Sequence, residues 1–185
     1  VQNVFCFGSS VSTNHTLDIQ IEGAGFFQLQ SPDGQVVYTR DGAFKRDGNG
    51  KVVDKNGYAL VPEIVIPADA KGIEISPDGT VQITSGATDV PQTIANIELA
   101  NFVNPAGLKA LGKNVFSQTG SSGAPVLGRP GIQNLGALAQ GQLESSNVNI
   151  VDEMVNMITA QRAYETNSKV IQASDQMLQT INNLR

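Results

Sequence analysis

Short alternating runs of apolar and polar residues fill the first half of the chain. Leu17, Ile19 and Ile21 alternate with acidic and amide residues, which is the period of a half-buried β-strand. Residues 31–34 read Ser-Pro-Asp-Gly, a strong turn sequence because proline presets the first corner and glycine accepts a positive φ. Since apolar runs flank this turn, residues 26–39 are predicted to form a β-hairpin.

The same turn sequence recurs at residues 76–79 and predicts a second hairpin, formed by residues 73–75 and 80–84. Further short strands, separated by Asp-Gly and Asn-Gly turns, are predicted at 43–45, 51–53 and 58–61. A longer alternating strand is predicted over 94–102. Strands this short and this close together indicate a mainly β fold. We predict an extended segment over 1–16 and an antiparallel β domain of short hairpins over 17–103.

Regular alternation is lost over residues 104–141, where glycine, proline and serine are frequent. We predict an irregular connecting segment there. Because the segment is longer than an ordinary connection, we expect contacts with another element to order part of it.

The last part of the chain, residues 142–185, predicts one long α-helix of the coiled-coil type. No glycine or proline interrupts residues 149–185, and about 35 residues at 1.5 Å each give a rod of about 50 Å. Asn149 is the preferred N-cap and Asn147 the alternative, since an asparagine side chain accepts hydrogen bonds from free amides of the first turn. Asp152 and Glu153 then fall in the first turn, where negative charge suits the helix dipole.

Apolar residues recur every seventh position along this helix. A seven-residue repeat of this length is typical of helices that supercoil with other helices, and the chain offers no obvious second helix. We therefore predict that this face mediates subunit assembly. The predicted face comprises Ile150, Met154, Met157, Tyr164, Ile171 and Leu178. All of these except Met154 are seven residues apart, and we call them the seven-residue line.

Two weaker series accompany this line. Small or mixed residues follow it three positions later, including Ala160, Ser174 and Ile181, and an apolar series precedes it by one position, comprising Ala163, Val170, Met177 and Leu184. A two-stranded zipper would carry leucine at most of the positions that follow the line by three residues. The pattern favours close packing among several helices. The alternative is a long amphipathic helix packed on its own β domain.

Composition narrows the possible functions. Of the 185 residues, 16% are charged and the formal net charge is −5, which argues against nucleic-acid binding because that requires a basic surface. No apolar stretch approaches the 18 to 20 or so residues of a membrane span.

The sequence offers no set of catalytic or metal-binding residues. Cys6 and His15 are single residues of their type, and a nucleophile needs a base close by. Residues 47–50, Asp-Gly-Asn-Gly, lack the first acidic ligand and the closing glutamate of a calcium loop, and turn chemistry explains them better. We therefore expect a protein that is not an enzyme and that holds no cofactor or metal.

Three blocks together resemble the bacterial flagellar rod and hook proteins. They are Leu-Asp-Ile-Gln-Ile-Glu-Gly-Ala-Gly-Phe-Phe at 17–27, Tyr-Thr-Arg-Asp-Gly-Ala-Phe at 38–44, and the run 141–184. Residues 145–179 are most similar to the distal rod members of that family. The resemblance spans nearly the whole chain.

The resemblance implies a structural subunit that self-assembles into the tubular drive shaft carrying torque from motor to hook. It implies assembly with further copies and with other rod and hook subunits, in the periplasm-spanning rod of the basal body, after type III export without a cleaved signal peptide. The family's N-terminal helix, with its Asn-Asn-Leu-Ala-Asn motif, is absent from this sequence, and so we expect residues upstream of Val1. The alternatives are a proximal rod or hook protein, a secreted β-rich binding module, and a peptidoglycan hydrolase.

Overall fold

The computed structural model describes residues 8–85, 90–132 and 134–183. The chain divides into two compact units, Val1–Ser146 and Asn147–Arg185, which we call the β unit and the helix unit. In the described ranges, strands and one short 3-10 turn, Pro105–Gly107, make up the regular structure of the β unit, and a single helix, α1 (Ile150–Asn183), that of the helix unit. The predicted fold class, an antiparallel β domain followed by a long C-terminal helix, is confirmed.

The strands of the β unit are short and follow one another closely. In chain order they are β1 (Ser10–Ser12), β2 (Ile19–Glu22), β3 (Phe26–Gln30), β4 (Val36–Thr39), β5 (Lys45–Arg46), β6 (Val52–Val53), β7 (Ala59–Val61), β8 (Ala70–Ile75), β9 (Thr80–Ser85), β10 (Pro91–Asn96), β11 (Leu99–Asn101), β12 (Lys109–Gly112), β13 (Val115–Ser117), β14 (Val126–Gly128), β15 (Ala137–Gln140) and β16 (Gln142–Glu144).

Both predicted hairpins are present. In the first, β3 pairs with β4 and places Leu29 opposite Val37, and the Gly34 amide donates to the Ser31 carbonyl across the turn at 2.8 Å. In the second, β8 pairs with β9 and the same turn sequence forms the same bond, from Gly79 to Ser76 at 2.9 Å. The turn chemistry read from the sequence therefore fixes these local pairings.

The largest sheet runs in the order β12-β13-β4-β3-β7-β6-β5, and β11 joins it by pairing with β3 and β14. A three-stranded sheet has the order β10-β9-β8, and two further pairs are β15 with β2 and β1 with β16. All these pairings are antiparallel.

The main core lies between these sheets. Its most buried members include Ile19, Phe27, Leu29, Leu60 and Ile97. A second cluster forms on the other side of β3 and contains Phe26, Tyr38, Ala100, Phe102 and Leu108. The rings of Tyr38 and Phe102 pack edge to face with centroids 4.8 Å apart, an arrangement that aromatic quadrupoles favour.

The prediction of a single strand over 94–102 is wrong. The chain forms β10 and β11 there, and these strands belong to different sheets. Ile97, between them, is fully buried, and its amide donates to the carbonyl of Gly79 at 2.7 Å. The physical reason is that Ile97 enters the core, so the chain leaves one sheet at this point and enters another.

The sequence predicts an irregular connection over residues 104–141, but this segment contributes β12, β13, β14 and β15. Strand β16 lies within 142–185, where the sequence predicted helix, and the division between the two units falls after Ser146. Strands β12 and β13 form a local hairpin, but β14, β15 and β16 pair with β11, β2 and β1, which lie far away along the chain. Such partners leave little local sequence signal.

The Asp47 turn shows why residues 47–50 resemble a calcium loop only superficially. One carboxylate oxygen, Oδ1, accepts the amides of Asn49 at 2.9 Å and Lys51 at 2.8 Å. The carboxylate of Asp54 accepts the amides of Asn56 and Tyr58 in the same way. Both aspartates close turns, as the sequence indicated.

Asp41 joins three turns of the main sheet. Its carboxylate accepts hydrogen bonds from the Lys55 ammonium, the Ala43 amide and the Asn114 side-chain amide. Burial favours the neutral acid, but these hydrogen bonds and the charge of Lys55 outweigh it and hold the pKa of Asp41 below its ordinary value of 3.8. The ionised carboxylate therefore stabilises the folded state.

We predict that Asp41→Asn makes the protein less sensitive to acid. Because the folded pKa of Asp41 lies below the unfolded one, its contribution is present above the unfolded value and is lost as pH falls through the folded value. Urea unfolding at pH 7 and pH 3 should show that the variant loses less stability between these conditions than the parent protein does. Asp33→Asn, at an exposed turn position, is the control and should behave like the parent.

We also predict that Gly42→Ala destabilises the protein by at least about 2 kcal/mol. A Cβ at Gly42 would lie 1.7 Å from the carbonyl oxygen of Ile19, whose amide donates to the Gly42 carbonyl at 3.0 Å. Gly48→Ala is the matched control, since no atom lies within 4 Å of its Cβ, and it should change stability by less than about 0.5 kcal/mol. Urea unfolding measures both. Equal effects of the two substitutions would contradict the predicted backbone contact.

Candidate assembly surface

Helix α1 begins at the residue that the sequence predicts. The Asn149 side-chain oxygen accepts the Val151 amide at 3.1 Å, and the Asn149 carbonyl accepts the Glu153 amide at 3.1 Å. Asp152 and Glu153 lie in the first turn, where their charge opposes the positive end of the helix dipole. The N-terminus of the helix is thus stabilised by its own sequence.

Two threonines on the helix bond back to the helix itself. The hydroxyl of Thr159 donates to the Val155 carbonyl and that of Thr166 to the Arg162 carbonyl, each at 2.8 Å. These bonds satisfy the hydroxyls without an external partner. These hydroxyls therefore need no hydrogen-bond acceptor from a molecule that packs against the helix.

The structure places every residue of the predicted assembly face on the surface of α1. The exposed fraction is 69% for Ile150, 62% for Met157 and 78% for Tyr164. For Met154, Ile171 and Leu178 it lies between 59% and 64%. Large apolar side chains so exposed on one long helix are a hallmark of interaction surfaces.

The seven-residue line does not run straight along the helix. A straight α-helix turns by about 20° per seven residues relative to such a repeat, so the line from Ile150 to Leu178 rotates by about 80°. A left-handed supercoil cancels this rotation. The repeat is therefore suited to a helix that winds around neighbouring helices.

The apolar surface is wider than this line, and it changes sides. In the first turns, Val151 and Ile158 lie beside the line and Val155 lies farther round the helix on the same side. All three are at least 50% exposed. In the second half, the flanking residues are Val170 and Met177. At about 100° per residue, the first group and the second flank the line on opposite sides.

Sequence reasoning found Val170 and Met177 but missed Val151, Val155 and Ile158. Their spacing of four and three residues is itself a helical signal, but these residues do not belong to the seven-residue repeat. Together the two halves present two apolar faces that share the line as a common edge. A helix of this kind has room for a different neighbour at each half.

The other candidate residues of the sequence do not form a site. Cys6 lies outside the described residues. His15 is exposed, and its amide bonds to the Thr13 hydroxyl. In the described ranges, no group of three or more His, Cys, Asp or Glu side chains is placed to hold a metal ion, and no helix there has both the length and the hydropathy that crossing a bilayer requires.

Two family models match the chain. One, described as the flagellar hook protein FlgE/F/G D1 domain, covers residues 20–83. The other, described as the flagellar basal body rod FlgEFG protein C-terminal, covers residues 139–184. The first match lies in the β unit, and the second contains β16 and the described helix.

Relatives that align with nearly the whole of this chain agree with these family models. The chain is 47% identical over 186 residues to the flagellar basal-body rod protein FlgG of Borreliella burgdorferi, an alignment that covers 100% of this chain and 70% of the relative. The chain belongs to the flagellar hook and basal-body rod protein family. The FlgG protein of Buchnera aphidicola subsp. Schizaphis graminum is 45% identical over 183 residues, which cover 99% of this chain and 70% of the relative. That of Bacillus subtilis is 37% identical over 190 residues, which cover 100% of this chain and 71% of the relative.

A hook protein also matches, over a shorter stretch. FlgE of Escherichia coli is 44% identical over 131 residues, which cover 71% of this chain and 31% of the hook protein. The FlgG alignments extend farther along both partners. The expected role, a structural rod subunit of the flagellar basal body, is confirmed by these matches.

We predict that Asn149→Ala weakens the first turn of α1 by about 1 kcal/mol, because the cap bond to Val151 is lost. Amide hydrogen exchange should become faster at residues 151–154 and should change little beyond the second turn. Asn156→Ala, inside the helix, is the control and should leave exchange unchanged or slower, since alanine favours helix. Faster exchange in the control as well would show that the cap is not the cause.

Proposed function

We propose that this protein is a subunit of the distal rod, the tubular drive shaft that transmits torque from the motor to the hook in flagellum-dependent motility. The single observation that carries the proposal is the near-full-length likeness to FlgG proteins, at about 45% identity to several of them. Assignment to the hook is the second candidate, favoured by the match to the hook protein FlgE. The rod is preferred because the FlgG alignments extend over nearly the whole chain.

We infer that copies of the rod protein self-assemble through α1, as a coiled coil. The apolar residues of the helix are exposed, and their seven-residue spacing requires neighbouring helices rather than water. Burying each such side chain against a neighbour stabilises an interface by roughly 1.5 to 3 kcal/mol. The line from Ile150 to Leu178 and its flanking residues supply many such contacts.

Partners other than identical copies follow from the same surface. Subunits of one family share the pattern of their C-terminal segment, as the common family model over residues 139–184 indicates. A helix that packs against its own kind is therefore suited to neighbouring rod and hook subunits. The proposal places the assembled protein in the periplasm-spanning rod, after type III export without a cleaved signal peptide.

We propose further that the protein has no enzymatic activity and needs no cofactor. The carboxylates that are sheltered in the β unit have structural uses, since those of Asp41 and Asp54 close turns and that of Glu144 pairs with Arg40. His15 lies exposed. Function therefore resides in the contacts between subunits.

We predict that replacing both Met157 and Tyr164 with aspartate blocks rod assembly while the β unit stays folded. Each aspartate would place an unpaired charge in the interface, at a cost of several kcal/mol. In a bacterium that depends on this protein, swimming should stop and electron micrographs of isolated basal bodies should lack the distal rod.

The matched control is the double variant Asn156→Asp and Gln172→Asp. It adds the same charge to the same helix, on the side away from the apolar surface of each half. The control should swim and assemble rods. Normal rods in the Met157 and Tyr164 variant would overturn the proposed interface, and tubes with hook curvature in place of straight rods would favour the second candidate.

A further inference from the structure

Arg40 makes an unusually complete set of hydrogen bonds in the β unit. Its Nε and Nη2 donate to Oε2 of Glu144 at 3.0 and 2.9 Å. Its Nη1 donates to the carbonyls of Gly23 and Gly25 at 3.1 and 3.0 Å, and Nη2 also donates to that of Ile21 at 3.4 Å. These five bonds equal the number of N–H donors that a guanidinium carries.

The carbonyls that receive Arg40 come from a special backbone. Gly23 and Gly25 both adopt a φ of +135°, a conformation that side chains disfavour. A Cβ at Gly23 would also lie 2.6 Å from the Cα of Gly136. The Gly-Ala-Gly sequence at 23–25 therefore forms a cradle of carbonyls that accept from Arg40.

Through Arg40, Glu144 connects this cradle to the first described residues and to the last strand of the β unit. Its Oε1 accepts the amide of Gly8 at 3.1 Å, while its Oε2 holds Arg40. Strands β1 and β16 pair with each other, and the Ser145 amide donates to the Ser9 carbonyl at 2.8 Å. The first described strand and the last strand before α1 thus form one ribbon, which we call the β1–β16 ribbon.

The Arg40–Glu144 pair differs from an ordinary surface ion pair. The side chains are 14% and 16% exposed, and the Arg40 guanidinium also lies over the ring of Phe26, 6.0 Å from its centroid. Pairs removed from water in this way are strongly coupled, since loss of one partner leaves a sheltered charge unpaired. The planar fork of arginine suits the arrangement, and a lysine ammonium cannot reproduce it.

We propose that Arg40 is a positioning residue that fastens the β1–β16 ribbon to the rest of the β unit, so that force reaching the ribbon passes into the main sheet. The proposal rests on the proposed function, because a rod subunit transmits torque. Residues 145–149 lead from the ribbon directly into α1. Two three-residue strands alone would open easily. One end of the ribbon is held by Gly141, whose amide donates to the Asp18 carbonyl at 2.7 Å. At the other end, Arg40 ties Glu144 to the carbonyls of residues 21–25 and, through its own backbone, to β4.

The test compares Arg40→Lys and Glu144→Gln with Glu63→Gln in the full protein. Glu63 forms an ion pair with Lys51 at the same distance, 2.9 Å, but its side chain is 48% exposed, which makes this pair the matched control. Amide hydrogen exchange of β1 and β16 is measured together with that of β3, β4 and β9. The second readout is swimming in medium of rising viscosity.

We expect exchange in β1 and β16 to rise at least about tenfold in both Arg40→Lys and Glu144→Gln, equivalent to about 1.4 kcal/mol of local opening. Exchange in β3, β4 and β9 should stay within about twofold of the parent, and Glu63→Gln should behave like the parent throughout. Swimming should fail at a lower viscosity in the two ribbon variants.

Three outcomes would overturn the proposal. Unchanged exchange in the ribbon would show that Arg40 does not fasten it, and equal acceleration in all strands would reduce Arg40 to a general stabiliser. Faster ribbon exchange with normal swimming at all viscosities would remove the role in force transmission. None of these outcomes touches the assembly interface, which the Met157 and Tyr164 variant tests separately.

Discussion

Strand β3 is the element around which the β unit is built, because it is buried on both faces and paired on both edges. Phe27 and Leu29 enter the main core, and Phe26 enters the second cluster. On one edge of β3, strand β4 pairs with residues 27–30. On the other edge, β11 pairs with residues 26–27 and β7 with residues 28–30. The two hydrophobic clusters can form only if these strands meet at β3, so the positions of the other sheets follow from it.

The helix unit follows the opposite rule. The β unit buries two clusters of large apolar residues, whereas the large apolar residues of α1 between Ile150 and Leu178 are all at least half exposed. The hydrophobic effect stabilises the first unit from within, and in the proposed assembly it would stabilise the contacts of the second unit with neighbouring helices. The switch of flanking residues from one side of the seven-residue line to the other suits a helix that meets more than one neighbour, as a wall of packed subunits requires.

Comparison of sequence and structure separates local from long-range causes. The two Ser-Pro-Asp-Gly hairpins and the Asn149 cap could be predicted, since proline, glycine and asparagine act within four residues of one another. Strands β14, β15 and β16 could not, because their partners lie far away in the chain and their own sequences lack alternation. The strand predicted over 94–102 divided for a similar reason, since only the folded core shows that Ile97 points inward. The seven-residue line can be predicted from the sequence, while the exposure of Val151, Val155 and Ile158 beside it is seen in the structure.

The sequence by itself determined the turns, the start of the helix, its seven-residue line and the family, since each depends on residues at short fixed spacings. Tertiary structure alone decided how the sheets join and what Arg40 does. Its acceptors are three carbonyls within residues 21–25 and the carboxylate of Glu144, which lies more than a hundred positions farther along the chain. A charged side chain such as that of Arg40 can be buried only when folding brings its hydrogen-bond acceptors together. Acceptors that are so distant in sequence leave no pattern along the chain from which this could be predicted.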